Sequence, residues 1–216
     1  MKEIRFTLVT DGPSDAALIP ILTWLLREQA ASAAFSPHHV DFRHLREPPR
    51  GLENRLAYAL LAYPCELLFV HRDAEKQPPG LRRDEIETAI ASLRSKRKEV
   101  VPPYICVIPV RMTEAWLLFD EQVIRQASGC PNGRVPLDLP GTSKLEALPD
   151  PKQMLHDRLK LASERTGRRK KAFDMRGAVR QVANLLDDFA PLRSLSAFRS
   201  LEEDIHSTLK DAGFID

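Results

Sequence analysis

The sequence predicts an α/β protein: a largely parallel sheet flanked by helices, followed by a helical C-terminal part. Three observations carry this expectation. Short β-branched or apolar runs alternate with amphipathic stretches through the first half of the chain, the order that builds parallel sheets with crossover helices. Two of those runs, Leu67-Leu68-Phe69-Val70 and Tyr104 to Val110, are apolar on consecutive residues, as strands covered on both faces are. After a proline- and glycine-rich stretch the periodicity becomes helical.

Ile4 to Thr10 reads as the first strand, and Asp11-Gly12-Pro13-Ser14-Asp15 after it is turn chemistry with Ser14 as a helix N-cap. A helix is expected over 15–34, because Leu18, Ile21, Leu22, Leu25 and Leu26 recur at helical spacing, with Pro20 near its tolerant first turns. Val40 to Leu45 is expected as the second strand, Leu52 to Tyr63 as a helix, and Glu66 to His71 as the third strand. Arg82 to Lys98 alternates charges on a helical period before the fourth strand, Tyr104 to Val110. Pro131, Pro136, Pro140, Pro149 and Pro151, with Gly129, Gly133 and Gly141, interrupt regular structure. The chain therefore divides into an α/β part at 1–128, a connecting loop at 129–151 and a helical region at 152–216. Helices are expected over Lys152–Glu164, Arg176–Phe189 and Ser196–Ala212, with Gly213 as a stop.

Composition narrows the function classes. In 216 residues, 43% are hydrophobic and 29% charged, enough for a substantial core and unlike a disordered chain. With 32 basic and 30 acidic side chains, attraction to nucleic acid has to come from local patches rather than the overall field. Cys65, Cys106 and Cys130 lie far apart, which argues against a zinc ribbon or a disulfide framework and fits a reducing cytoplasm. No apolar run approaches the roughly 20 residues of a membrane span, and the start of the chain does not read as a signal peptide.

Acidic groups follow three of the expected strands: Asp11 and Asp15 after the first, Asp73 and Glu75 after the third, Glu114 after the fourth. In a parallel sheet these positions converge on the crevice at the carboxyl ends of the strands, where such folds bind ligands. Clustered carboxylates repel unless a cation lies between them, and hard oxygen ligands suit Mg²⁺ or Mn²⁺. The same residues equally serve as helix caps, a role open to Asp11 and Asp15. Arg72 beside the cluster either meets a phosphate bidentately or neutralises the carboxylates. Trp116, Leu117 and Leu118 follow an apolar core pattern, and Asp120 reads as structural. His38, His39 and His71 lack a zinc partner set. The run Arg165, Arg168, Arg169, Lys170 and Lys171, continued by Arg176 and Arg180, is the best local patch for a phosphate backbone, and Arg94, Lys96, Arg97 and Lys98 form a second.

The string Val9-Thr10-Asp11-Gly12-Pro13-Ser14-Asp15 resembles the acidic-Gly-x-x-Asp start of Toprim domains, and Phe69-Val70-His71-Arg72-Asp73-Ala74-Glu75 resembles their Asp-x-Asp strand end. Met112-Thr113-Glu114-Ala115-Trp116-Leu117-Leu118-Phe119-Asp120 is similar to a segment of the Toprim-like family called domain of unknown function 4276, which is related to the Toprim part of OLD-type nucleases. The likeness continues through Leu148-Pro149-Asp150-Pro151-Lys152, Arg169 to Lys171 and Ser196-Ala197-Phe198.

The resemblance implies a Mg²⁺- or Mn²⁺-dependent nuclease of a bacterial defence system. It carries over Asp11, Asp15, Asp73, Glu75 and Glu114 as the metal and acid/base cluster: Asp11 as general base or ligand, Asp73 and Glu75 holding the metal directly or through water, and Glu114 completing the acidic wall or binding a second ion, with a share in catalysis. DNA or RNA, an ATPase and a second copy of the chain are its expected partners. Two departures stand out: most Toprim domains have Glu at the position of Asp11 and Asp at that of Glu75. A carboxylate shortened by one methylene misplaces a base by about 1 Å, on general grounds a loss of roughly 10²-fold. Two rivals follow, a catalytically degenerate scaffold binding an ATPase or nucleic acid, and a phosphohydrolase with Asp11 as nucleophile.

Overall fold

A computed structural model describes residues 3–74 and 77–216. Its centre is a four-stranded, all-parallel sheet in the order β2-β1-β3-β4, built from β1 (Glu3–Val9), β2 (Ala34–His39), β3 (Leu67–His71) and β4 (Tyr104–Val107). In chain order the helices are α1 (Leu18–Gln29), α2 (Leu52–Ala62), α3 (Pro79–Lys96), α4 (Glu121–Ala127), α5 (Pro151–Ala162), α6 (Gly167–Lys171), α7 (Met175–Leu185) and α8 (Ser196–Asp211). The chain is thus α/β with a helical C-terminal part, as the alternation of runs predicts.

The period of two along a strand sorts side chains onto two faces. Ile4, Phe6 and Leu8 of β1, Leu67 and Phe69 of β3, and Ile105 and Val107 of β4 join one buried cluster with α1, α4, α5, α7 and α8. Val9, Leu68, Val70 and Cys106 face the other way and pack against α2 and α3. Every residue of β3 is buried, which explains its uninterrupted apolar run.

The sequence misplaces two elements near β2. The α1 helix stops at Gln29 rather than running to 34, and Ala34–His39 instead pairs with β1 from Glu3↔Ala34 to Leu8↔His39. Pairing with a buried strand outweighs the helical propensity of an alanine-rich stretch. Pro37 is accepted because β2 is an edge strand, where a missing N–H need not break the ladder. Of the strand expected at Val40–Leu45, only the Val40 N–H still reaches the sheet, bonding Leu8 O at 3.1 Å. Phe42–His44 is a 3-10 turn with Asp41 as its cap. Val40 and Phe42 are apolar because they pack on the second face of the sheet, not because they alternate along a strand.

Ser14 is not an N-cap. Pro13–Ala17 forms a 3-10 turn capped by Gly12, whose N–H donates to Asp15 Oδ2 at 3.0 Å. Pro20 falls within the first turn of α1, and Gly213 takes a φ of 67° just beyond α8. The helix expected at Arg176–Phe189 ends at Leu185, and a 3-10 turn covers Ala190–Ser194.

The stretch at 129–151 is ordered and contributes to the core through Leu137, Leu145 and Leu148. Glu146 within it caps α8, accepting the N–H of Ser196 at 3.0 Å and of Ala197 at 2.8 Å. Glu164, at the end of α5, accepts the N–H of Arg134 at 2.7 Å and of Val135 at 3.1 Å. Trp116 is fully buried edge-on to Phe198, with ring centroids 5.5 Å apart. Asp120 caps α4 through the Val123 N–H, the structural role expected of it. Among the described residues no helix is long and apolar enough to cross a membrane.

Because one buried cluster runs from Ile4 of the sheet to Leu209 of α8, Phe198→Ala is expected to destabilise the whole chain by about 3–5 kcal/mol. Denaturation followed by tryptophan fluorescence and by far-ultraviolet circular dichroism should give one earlier, coincident transition. Two separated transitions would overturn the shared core.

Candidate active site at the carboxyl ends of the strands

Backbone pairing beyond the strands sets the site. The Arg72 N–H reaches Val107 O at 3.2 Å and the Ala74 N–H reaches Pro109 O at 3.1 Å, so the chain leaving β3 stays tied to the chain leaving β4. Asp73 lies between these two bonds, and Arg82 from α3 holds its carbonyl at 3.1 Å. Glu114 enters from the 3-10 turn Thr113–Leu117, and Asp15 from the turn after β1.

Asp15 and Asp73 meet around His71, the last residue of β3, which is only 1% exposed, and Glu114 lies close enough to act on Asp73. A carbonyl only accepts, so the 2.9 Å contact from His71 Nδ1 to Val107 O assigns the proton to Nδ1. The other nitrogen, Nε2, faces Asp73 Oδ1 at 3.4 Å, Asp15 Oδ2 at 3.9 Å and Thr113 Oγ1 at 3.5 Å. Glu114 is in turn 3.5 Å from Lys152 Nζ. His39, at the end of β2, bonds the Thr10 hydroxyl at 3.0 Å. That hydroxyl donates to Gly12 O, so it receives the His39 proton. Burial lowers the pKa of His39 and keeps it a neutral donor.

Asp73 carries the electrostatic strain of this arrangement. Burial first, then repulsion from Asp15 and Glu114, raise its pKa from 3.8 to about 6, against opposing contributions from His71 and the Thr113 backbone. Its Oδ1 is buried without a hydrogen-bond partner, and such an atom is costly unless something fills the gap. Among the described residues no three His, Cys, Asp or Glu side chains are arranged as a metal-holding set. The donor chemistry nevertheless suits a hard divalent cation: three carboxylates, one with an orphaned oxygen, beside an imidazole with a fixed tautomer.

The other expected site residues divide. Asp11 is 48% exposed and turned to two guanidinium groups, Arg72 Nε at 2.9 Å and Arg55 Nη1 at 3.3 Å. It is therefore a charged partner of arginines, whereas Asp15 and Glu114 are the carboxylates that act on Asp73. Arg72 also pairs with Glu85 at 3.4 Å, so its guanidinium neutralises carboxylates rather than standing free for a phosphate. Asp15 does cap the turn, through Gly12, and faces His71 with the same oxygen. Glu75 lies outside the described residues. Arg168, Arg169, Lys170 and Lys171 form the exposed helix α6, and among the described residues none of them makes an ion pair. In the second basic patch Arg97 pairs with Glu53 and Arg94 lies over the Tyr104 ring.

His71 has no role in the sequence reading, yet it stands at the centre of the cluster. Its signal is a histidine closing an otherwise apolar strand two residues before Asp73, and residues i and i+2 leave a strand on one face. Lys152 and His156 also border Glu114, and a search for acidic residues passes over both.

Between the ordinary carboxyl value of 3.8 and about 6, Asp73 keeps its proton in the folded chain and loses it in the unfolded one. This group therefore makes stability fall as pH rises through that window and leaves it lower above it. Asp73→Asn is expected to flatten that slope and to stabilise the metal-free protein at neutral pH by about 1–3 kcal/mol. Urea denaturation on both sides of the window measures it; identical pH slopes for parent and variant would refute the buried carboxyl. No protein-family model matches the chain, nor does any curated protein or solved structure, so the Toprim likeness stands on its motif residues alone.

Proposed function

We propose that this chain is a Toprim-like, Mg²⁺- or Mn²⁺-dependent nuclease that hydrolyses phosphodiester bonds of DNA or RNA in the cytoplasm, within a bacterial defence system and beside an ATPase. The observation that carries the reading is that Asp73 shares buried His71 with Asp15 and feels the charge of Glu114, with its Oδ1 lacking a hydrogen-bond partner. Buried like charges are expensive to keep together, and a site that keeps them is a functional candidate. The family resemblance gives the reaction its class.

Asp73 and Glu114 are the ligands of choice, Asp15 supports them, and the Asp-x-Asp likeness adds Glu75. When bound, the cation polarises a phosphate oxygen and lowers the pKa of a water. His71 donates to Val107 O through Nδ1 and so offers Nε2 to the cluster in a fixed direction. An imidazole beside carboxylates favours Mn²⁺ over Mg²⁺, since nitrogen ligands suit the later metals better. Arg82 and the paired backbone hold Asp73 in place.

One observation favours the second reading, a scaffold without catalysis: Asp11, the family's general base, is engaged by Arg55 and Arg72. Both Asp11 oxygens face guanidinium groups, Oδ1 to Arg55 and Oδ2 to Arg72, and so are not free to take a proton or to attack a phosphate. The same pairing counts against the phosphohydrolase with an Asp11 nucleophile.

Millimolar Mn²⁺ is expected to raise the melting temperature of the parent protein, with a gain of about 2.7 kcal/mol at a hundredfold excess over Kd. Asp73→Ala should abolish both that shift and Mn²⁺-dependent cleavage of plasmid or RNA, assayed with and without the ATPase. A parent protein that neither shifts nor cuts leaves only the scaffold.

A separate expectation concerns α6. Replacing Arg168, Arg169, Lys170 and Lys171 by Gln should weaken nucleic-acid binding regardless of sequence and reduce the salt slope by about 0.9 for each phosphate no longer neutralised. Equal slopes for parent and variant would make α6 a solvated face.

A further inference from the structure

The basic run of the C-terminal part is not one patch. Arg168 to Lys171 stay on exposed α6, whereas Arg176 and Arg180 belong to α7 and line a pocket of about 400 Å³ between α5, α7 and the turn after β1. Positions i and i+4 share a helix face. Lys152 and His156 on α5 and Arg176 and Arg180 on α7 are two such pairs, lining the same pocket from two helices that pack together.

Among the described residues Glu114 is the one carboxylate lining the pocket, and Arg43 adds a further cation. Among the described residues Arg176 and Arg180 make no ion pair, while Lys152 leans on Glu114 and Arg43 on Asp41. Pro13, Ala17 and Val179 supply an apolar surface. The volume is near the lower end of the ~300–1,000 Å³ of small-molecule pockets. Glu114 belongs to the acidic cluster as well, so the pocket opens beside the proposed reaction centre.

We infer that this pocket is a nucleoside-phosphate subsite: the phosphate sits among Lys152, Arg176 and Arg180, and the nucleoside covers Pro13, Ala17 and Val179. The surplus of cations selects an anion, guanidinium groups suit phosphate, and the apolar wall calls for more than a bare phosphate. The same chemistry is offered by a free mononucleotide and by the phosphorylated end of a strand. Its role as a substrate subsite rests on the phosphodiesterase reading of the neighbouring cluster; binding of the ligand does not.

The test is isothermal titration of the full-length protein, without divalent metal, with adenosine 5′-monophosphate, inorganic phosphate, adenosine, and a short oligonucleotide with and without a 5′-phosphate. The monophosphate or the phosphorylated oligonucleotide is expected to bind saturably and more tightly than phosphate or adenosine. Tighter binding of the oligonucleotide assigns the strand end, and tighter binding of the mononucleotide assigns the free ligand. Arg176→Gln with Arg180→Gln, and separately Lys152→Gln on the facing helix, should weaken binding at least about tenfold, as loss of charged hydrogen bonds does. Lys210→Gln, on the exposed face of α8, should leave it unchanged. Absence of saturable binding at millimolar ligand, equal affinity for adenosine, or undiminished affinity in both pocket variants would overturn the subsite. The Mn²⁺ melting shift, measured on the same samples, reports the acidic cluster independently. Nucleotide binding without that shift sinks the metal reading alone, and the shift without nucleotide binding sinks the subsite alone.

Discussion

The structure depends on a single constraint: all four strands run in the same direction. Parallel strands cannot be joined by tight turns, so each connection must cross a face of the sheet and cover it. That requirement produces the two buried layers, α2 and α3 on one side and α1 with the C-terminal helices on the other. It also sends the residues following every strand to the same edge. Thr10, Asp11 and Asp15 follow β1, His39 closes β2, His71 and Asp73 end β3 and its continuation, and Glu114 follows β4. A polar site at this edge is a consequence of topology before it is a consequence of any particular side chain.

What distinguishes this edge is how its charges are shared out. Arg55 and Arg72 are spent on the exposed Asp11, on the side of the sheet covered by α2 and α3. Asp73 and Asp15 have instead a buried imidazole whose other nitrogen is committed to the backbone, and Glu114 has Lys152. The result is an asymmetric site in which one carboxylate is paired with two guanidinium groups and another, Asp73, resists ionisation because it is half-buried beside two like charges. An arrangement of that kind is costly for folding, and it persists here because the backbone ties between the ends of β3 and β4 hold it.

The C-terminal helices do more than cover the sheet. Their apolar stripes, with Leu155 and Leu159 on α5 and Val179 and Val182 on α7, bury against the same core as β1. Placing those stripes inward determines which basic residues turn toward the acidic edge. Lys152, His156, Arg176 and Arg180 arrive beside Glu114 for that reason, while the short α6, with no buried residue, keeps its four cations in solvent. The carboxylates of the site therefore come from the sheet part of the chain and most of its cations from the C-terminal helices, locked together by one core.

The sequence alone determined the fold class, β1, β3, β4 and most helix starts, because apolar periodicity and turn residues are local signals. It also marked Asp11, Asp15, Asp73, Glu75 and Glu114 as site candidates, since an acidic residue just past an apolar run is visible without any partner. It placed β2 wrongly: Ala34–His39 is a strand only because β1 is beside it, and Val40 and Phe42 are apolar only because the sheet face lies beneath them. Tertiary structure alone decided that Asp11 faces arginines while its neighbours face His71, and that Arg176 and Arg180 leave the basic run to line a pocket. These are decisions about direction in space between residues far apart in the chain, and spacing along a sequence carries no information about which distant side chain will stand opposite.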